Sequence, residues 1–124
     1  MAKKRKYKTV RVRETTNNIQ RGIVAFLNHK GHRAFRVNSA AVFDPVIQDY
    51  RKRAEEDLGA PDVLACMRPY GRYTGFEVKF DGDTMSDDQI AFKAEIIAAG
   101  GEFVEVETWQ DFLDWYANSI YSRY

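Results

Sequence analysis

The sequence predicts an α/β fold in which a mixed sheet is flanked by helices. Three observations predict it. Apolar residues recur at helical spacing near each end, and between them they alternate with polar residues in short runs. A strand–helix–strand run in the second half requires a crossover, which favours a parallel pair of strands. A tight turn before that run joins two strands that must lie antiparallel. The expected order is α-β-insert-β-β-α-β-α.

Each element has a local cause. Thr15-Thr16 offers an N-cap, Ile19, Ile23, Val24, Phe26 and Leu27 follow at helical spacing, and Gly31 supplies a left-handed C-cap, so a helix is expected over about 16–30. His32 to Asn38 sets Arg33, Phe35 and Val37 against Ala34 and Arg36, a short strand. Asp44-Pro45 breaks structure, and Val46 to Leu58 reads as a short charged helix or an ordered loop. Asp62 to Met67, with Val63 and Leu64, reads as a buried strand. Arg68-Pro69-Tyr70-Gly71 suits a type I turn, and Tyr73 to Phe80 is the returning strand. Ser86-Asp87-Asp88-Gln89 is a capping box that opens a helix running to about Ala99, which Gly100-Gly101 stops. Glu102 to Val106 alternates as the next strand. Thr108 caps a last helix carrying Trp109, Phe112, Leu113, Trp115 and Tyr116. With Tyr121 these form an aromatic stripe, whose default role is core packing and part of which is a candidate dimer interface.

The 124 residues, 44% hydrophobic and 30% charged, fit a single globular domain. No apolar run approaches the roughly 20 residues of a membrane span, and no secretory leader is expected. The single cysteine, Cys66, excludes an intrachain disulfide framework and a cysteine-based zinc site, and a reducing, cytoplasmic setting is expected. The net charge of +1 conceals an asymmetry: residues 1–13 carry seven Lys/Arg and no acid, which leaves twelve basic and eighteen acidic groups in 14–124. Residues 1–13 are expected to be a flexible basic arm, with Lys3, Lys4, Arg5 and Lys6 available to phosphates, and 14–124 a single folded domain.

The chemistry lies in the hairpin. When it is centred between Pro69 and Tyr70, Asp62 falls opposite Glu77, and directly opposed residues share a sheet face with Cβ atoms about 5 Å apart. In Phe76-Glu77-Val78-Lys79-Phe80, Glu77 and Lys79 point to that same face. Two carboxylates and an ammonium in one patch suit phosphodiester hydrolysis. Asp62 and Glu77 can hold Mg²⁺, the Val78 carbonyl can complete the shell, and Lys79 can orient the attacking water. A solvated cross-strand charge cluster is the plainer alternative. A register slip of one residue would destroy the alignment.

These residues resemble the PD-(D/E)xK nuclease motif, here Pro61-Asp62, then fourteen residues, then Glu77-Val78-Lys79. Within that superfamily the chain resembles the VRR-NUC family in Gly59-Ala60-Pro61-Asp62-Val63-Leu64, in Phe76-Glu77-Val78-Lys79, in Ser86-Asp87-Asp88-Gln89, and in Arg36-Val37-Asn38-Ser39. The resemblance covers about residues 17–113. It implies a restriction-endonuclease-like αβββαβ core followed by a C-terminal helix, and a Mg²⁺- or Mn²⁺-dependent endonuclease acting on DNA. Small, often phage-encoded members resemble Holliday-junction resolvases and act as dimers, which would place the chain in a bacterial or phage-infected cell. Carried over, Asp62 and Glu77 bind metal, Lys79 is catalytic and Gln89 is the supporting glutamine, beside its role in the capping box. Arg36, Asn38 and Ser39 are candidates for phosphate contact. The chain departs from the family in its first helix, where Asn17 and Gln20 stand in place of Glu-x-x-Gln and only Glu14, one turn earlier, offers a carboxylate. That departure motivates the alternative of a weakened or inactive nucleic-acid- or protein-binding module. Arg68 and Arg72 at the turn, and His29 and His32 at the helix end, read as surface groups.

Overall fold

The computed structural model describes residues 15–37, 43–50, 58–80 and 82–124. Helix α1 (Thr16–His29) begins where expected, with Thr15 Oγ1 accepting from the Asn18 amide at 3.1 Å. Ile19, Ile23 and Leu27, one face of the helix, are buried. Gly31 takes φ +91° and turns the chain into strand β1 (Arg33–Arg36). The described part of the insert holds a short hairpin, β2 (Phe43–Asp44) and β3 (Asp49–Tyr50), which replaces the beginning of the helix or loop expected from Val46, and residues 51–57 of that expectation lie outside the described residues. Pro45, which lacks an amide donor, falls in its turn. Strands β4 (Val63–Met67) and β5 (Arg72–Val78) follow, then α2 (Asp87–Ala98), β6 (Glu102–Val106) and α3 (Trp109–Asn118).

The main sheet has the order β1-β4-β5-β6. β1 with β4 and β4 with β5 are antiparallel, and β5 with β6 is parallel, so the sheet is mixed as expected. Val63 pairs with Phe76 and Met67 with Arg72, the register expected from the hairpin. The Gly71 amide donates to the Met67 carbonyl at 2.7 Å, closing a four-residue loop that contains a cis Arg68–Pro69 bond. A loop of two or of four residues centred on the same bond gives the same register.

The core lies between the sheet and helices α1 and α3. Phe76, Val78, Val104 and Val106 pack there with Ile23, Leu27, Phe112 and Tyr116. The aromatic stripe is this core: Phe112 meets Phe76, and Phe26 lies edge-on to Phe112 and Tyr116. Tyr121, past the end of α3 in a 3-10 turn (Ile120–Arg123), is buried as well. Adjacent strand residues point to opposite faces, so Glu77 faces away from this core and towards α2.

His32 is buried rather than exposed. Strand alternation sets it on the inner face with Ala34, where Nδ1 accepts from the Arg68 amide and Nε2 lies 3.0 Å from the Tyr116 hydroxyl. His29 is exposed, as read from the sequence. Arg72 donates to the Gly100 carbonyl beyond α2, and Arg68 lies over Gly31 beyond α1, so both side chains answer helix C-termini. No described helix is long and apolar enough to cross a membrane.

Candidate active site

The register gathers the candidate residues at one end of the sheet. β1 ends where β4 begins, β4 begins where β5 ends, and β5 and β6 end together. Asp62, just before β4, therefore meets Glu77 and Val78 at the end of β5. Lys79, one residue further, donates its amide to the Val106 carbonyl at the end of β6. The first turns of all three helices belong to this end: Asn17 and Gln20 of α1 reach Arg36, Gln89 of α2 reaches Glu77, and α3 starts just after β6. The N-termini of the three helices thus lie at one end of the sheet, with Asp87 and Asp88 in the first turn of α2 and Asp111 in that of α3.

Asp62 is fixed by its local surroundings. Its Oδ2 accepts from the Val78 amide at 2.9 Å, and its backbone carbonyl accepts from Val37 at 2.9 Å. The residue before it, Pro61, is buried against Gly75, where a Cβ would come within 2.7 Å of the proline ring. Gly59, at φ +80°, lies against the Asp88 carbonyl at the start of α2, which leaves no room for a side chain. The loop that carries Asp62 is thus clamped between β5 and the helix that carries Gln89. An isolated glycine inside a strand pattern signals such a close approach, and Gly75 was the available signal that sequence reasoning passed over.

Glu77 is only 3% exposed, so this is not a solvated charge cluster. Its Oε1 accepts from Gln89 Nε2 at 2.8 Å and lies 4.0 Å from Lys79 Nζ. Its Oε2 is buried with no hydrogen bond of full geometry among the described residues. Burial and the neighbouring Asp62 charge push the Glu77 carboxyl up to about 7, against the pull of Lys79, of the Asp62 backbone amide and of Gln89. Burial also raises Asp62, opposed by the Val78 amide and by the charges of Lys79 and Arg36. Two carboxylates held this close and this dry repel each other when both are ionised.

Gln89 occupies both positions expected of it. Its Oε1 accepts from the Ser86 amide at 2.9 Å, and the Gln89 amide donates to Ser86 Oγ at 3.2 Å, which completes the capping box. Its Nε2 then points outward from the helix end onto Glu77. The cap therefore fixes the orientation of the amide that contacts the carboxylate.

The first-helix residues do not point at the carboxylates. Asn17 Oδ1 and Gln20 Oε1 both accept from Arg36, at 2.9 Å each from Nη2, with a further 3.1 Å contact from Nε to Gln20. Lys3, Lys4, Arg5, Lys6, Glu14, Asn38 and Ser39 lie outside the described residues.

The two carboxylates keep oxygens available to a divalent cation. One oxygen of each carboxylate is engaged, Asp62 Oδ2 by Val78 and Glu77 Oε1 by Gln89. Glu77 Oε2 is buried with no hydrogen bond of full geometry among the described residues, and a hard cation with oxygen ligands would relieve the mutual repulsion of the two carboxylates. Among the described residues no group of three or more His, Cys, Asp or Glu side chains converges, so the donor set is two carboxylates with polar neighbours.

Comparison with curated proteins and with solved structures gives no match. A family model of the VRR-NUC domain matches residues 3–109, which include Asp62, Glu77, Lys79 and Gln89 and the elements that carry them. With the mixed sheet, the clamped Pro61-Asp62 and the buried Glu77 beside Lys79, this match identifies the chain as a member of the VRR-NUC family of nucleases.

Proposed function

We propose that this chain is a divalent-metal-dependent DNA endonuclease, with Asp62, Glu77, Lys79 and Gln89 as its catalytic residues. The observation that carries the reading is the burial of the Glu77 carboxylate directly beside the Asp62 carboxylate. Such a pair gains nothing from ionising in a dry site unless a cation joins it. Asp62, Glu77 and the Val78 carbonyl would hold Mg²⁺ or Mn²⁺, which supplies charge neutralisation at the scissile phosphate and a more acidic bound water.

The chain's own groups supply the rest. Gln89 Nε2 holds Glu77 Oε1 in place and so fixes the orientation of the carboxylate. Lys79, with its side chain 27% exposed, is reachable from solvent. Its ammonium orients the attacking water or stabilises the charge that develops on the phosphate oxygens. Residues 1–13, with Lys3, Lys4, Arg5 and Lys6, add sequence-independent affinity for the DNA backbone, and Asn38 and Ser39 add phosphate contacts.

The preferred substrate in this reading is branched DNA, cut by a homodimer, because resolving a four-way junction takes two matched cuts. The test is cleavage of a labelled four-way junction beside matched duplex and single strand, with Mg²⁺, Mn²⁺ or EDTA. Paired, metal-dependent nicks confined to the junction and absent in Glu77→Ala support a resolvase. Cleavage of all three substrates keeps the nuclease and removes the selectivity. One observation favours a second reading: no carboxylate of the described first helix reaches Asp62 and Glu77. Tight binding without cleavage in either metal selects that reading, a binding module on a nuclease scaffold.

A further inference from the structure

We propose that Arg36 is a preset anchor for a backbone phosphate of the nucleic acid, and that Asn17 and Gln20 serve the site by holding this arginine with its charge intact. The inference rests on the nuclease reading only for the nature of the ligand.

A guanidinium has five N–H groups in a rigid plane. Nε and Nη2 are spent on Gln20 Oε1 and Asn17 Oδ1, at 2.9–3.1 Å. The two donors of Nη1 have no partner among the described residues. Asn17 and Gln20 stand three residues apart in the first turn of α1, so their side chains share a face and grip one edge of the fork. Both acceptors are neutral amides, and no carboxylate of the described residues pairs with Arg36. The plane is therefore fixed while the positive charge stays available. Phosphate recognition uses this combination, because a pre-oriented fork loses less rotamer freedom on binding. The charge is also at the right end of the sheet, since Arg36 pairs with Val63, the residue after Asp62.

The geometry gives the neutral residue at 17 a purpose. A carboxylate there would meet Nη2 at hydrogen-bond distance and neutralise it. In this chain Asn17→Glu is thus expected to disarm the arginine rather than to improve a metal site.

The experiment is fluorescence anisotropy of labelled duplex DNA with the full chain in EDTA, over a salt series, alongside cleavage in Mn²⁺. Arg36→Gln and Asn17→Glu are each expected to weaken binding roughly tenfold at 0.1 M salt and to flatten the log–log salt slope by about 0.9, the loss of one phosphate contact. Asn18→Glu, the same charge one residue along an exposed face, is expected to change both less. Arg36→Lys is expected to keep the slope, which separates loss of charge from loss of fold. Unchanged affinity and slope in Arg36→Gln would overturn the proposal. So would an equal loss in Asn18→Glu, or an Asn17→Glu chain that binds as before and cleaves faster. If no variant cleaves in any metal, the nuclease reading fails while the binding series still decides the role of Arg36.

Discussion

Glu77 concentrates the conflict between stability and chemistry that marks a functional residue. Its carboxyl is pushed up to about 7 by burial and by Asp62, so the metal-free fold prefers the protonated form. Stability from this group is complete below the unfolded value of 4.5 and is lost as pH rises through about 7. Glu77→Gln is therefore expected to be inactive yet, at pH 8 without metal, more stable than the parent by about 2 kcal/mol, read by urea unfolding. Equal stability at pH 8 would show that the carboxylate is not penalised there. Gln89 allows a sharper separation. Gln89→Glu keeps an acceptor for the Ser86 amide but removes the donor to Glu77 Oε1. Cleavage should fall at least 10²-fold, and the new carboxylate facing Glu77 should lower the melting temperature more at pH 8 than at pH 5, whereas Gln89→Ala should lose about 1 kcal/mol of cap at either pH. The Ser-x-x-Gln pattern disclosed the cap in advance. That the same amide would reach a strand twelve residues earlier was supplied only by the resemblance, because one side chain serving two partners leaves no periodic trace.

At the scale of elements, the site depends on register. The pairing of Asp62 with Glu77 was readable because a hairpin's centre fixes every opposed pair. The clamp on Asp62 was less readable, since it depends on which surfaces approach across the sheet. Gly75 tests it. A methyl at this position meets the rigid Pro61 ring at 2.7 Å, and the ring can yield only by moving Asp62. Gly75→Ala is expected to cost about 2 kcal/mol by overpacking and to abolish cleavage, with unfolding and rate measured on the same preparation. The burial of His32 was legible in the strand alternation and was masked by its place at a helix end. Burial, then the Arg68 charge, lower its pKa, as the acceptor role of Nδ1 requires. The unfolded chain therefore binds a proton more readily, and stability falls as pH drops below about 6.5. His32→Gln should remove that acid-side slope from the urea midpoint. A slope unchanged by the substitution would place the titration elsewhere. The insert was the least legible region, because a short hairpin has too short a pattern to compete with charge and loop signals.

The whole molecule is a mildly acidic body preceded by a strongly basic segment, and three helix starts face the same end as the carboxylates. The overall architecture was legible because strand and helix periods alternate cleanly, and the family match over residues 3–109 agrees with it. The route by which DNA meets the site was not, since charge composition gives attraction without direction. Deleting residues 2–13 is expected to weaken DNA binding and flatten its salt dependence while leaving the melting temperature unchanged. Retained affinity and slope would remove the arm from the account. The central claim is that Asp62 and Glu77 form a centre for a divalent cation. Calorimetric titration of Mn²⁺ into the metal-free chain at pH 6.5, in two buffers of different ionisation enthalpy, tests it most directly. The account predicts binding with release of a proton from Glu77, release that fades by pH 8, and no binding in Glu77→Gln. Binding of equal strength in Glu77→Gln, or none in the parent chain, would contradict it.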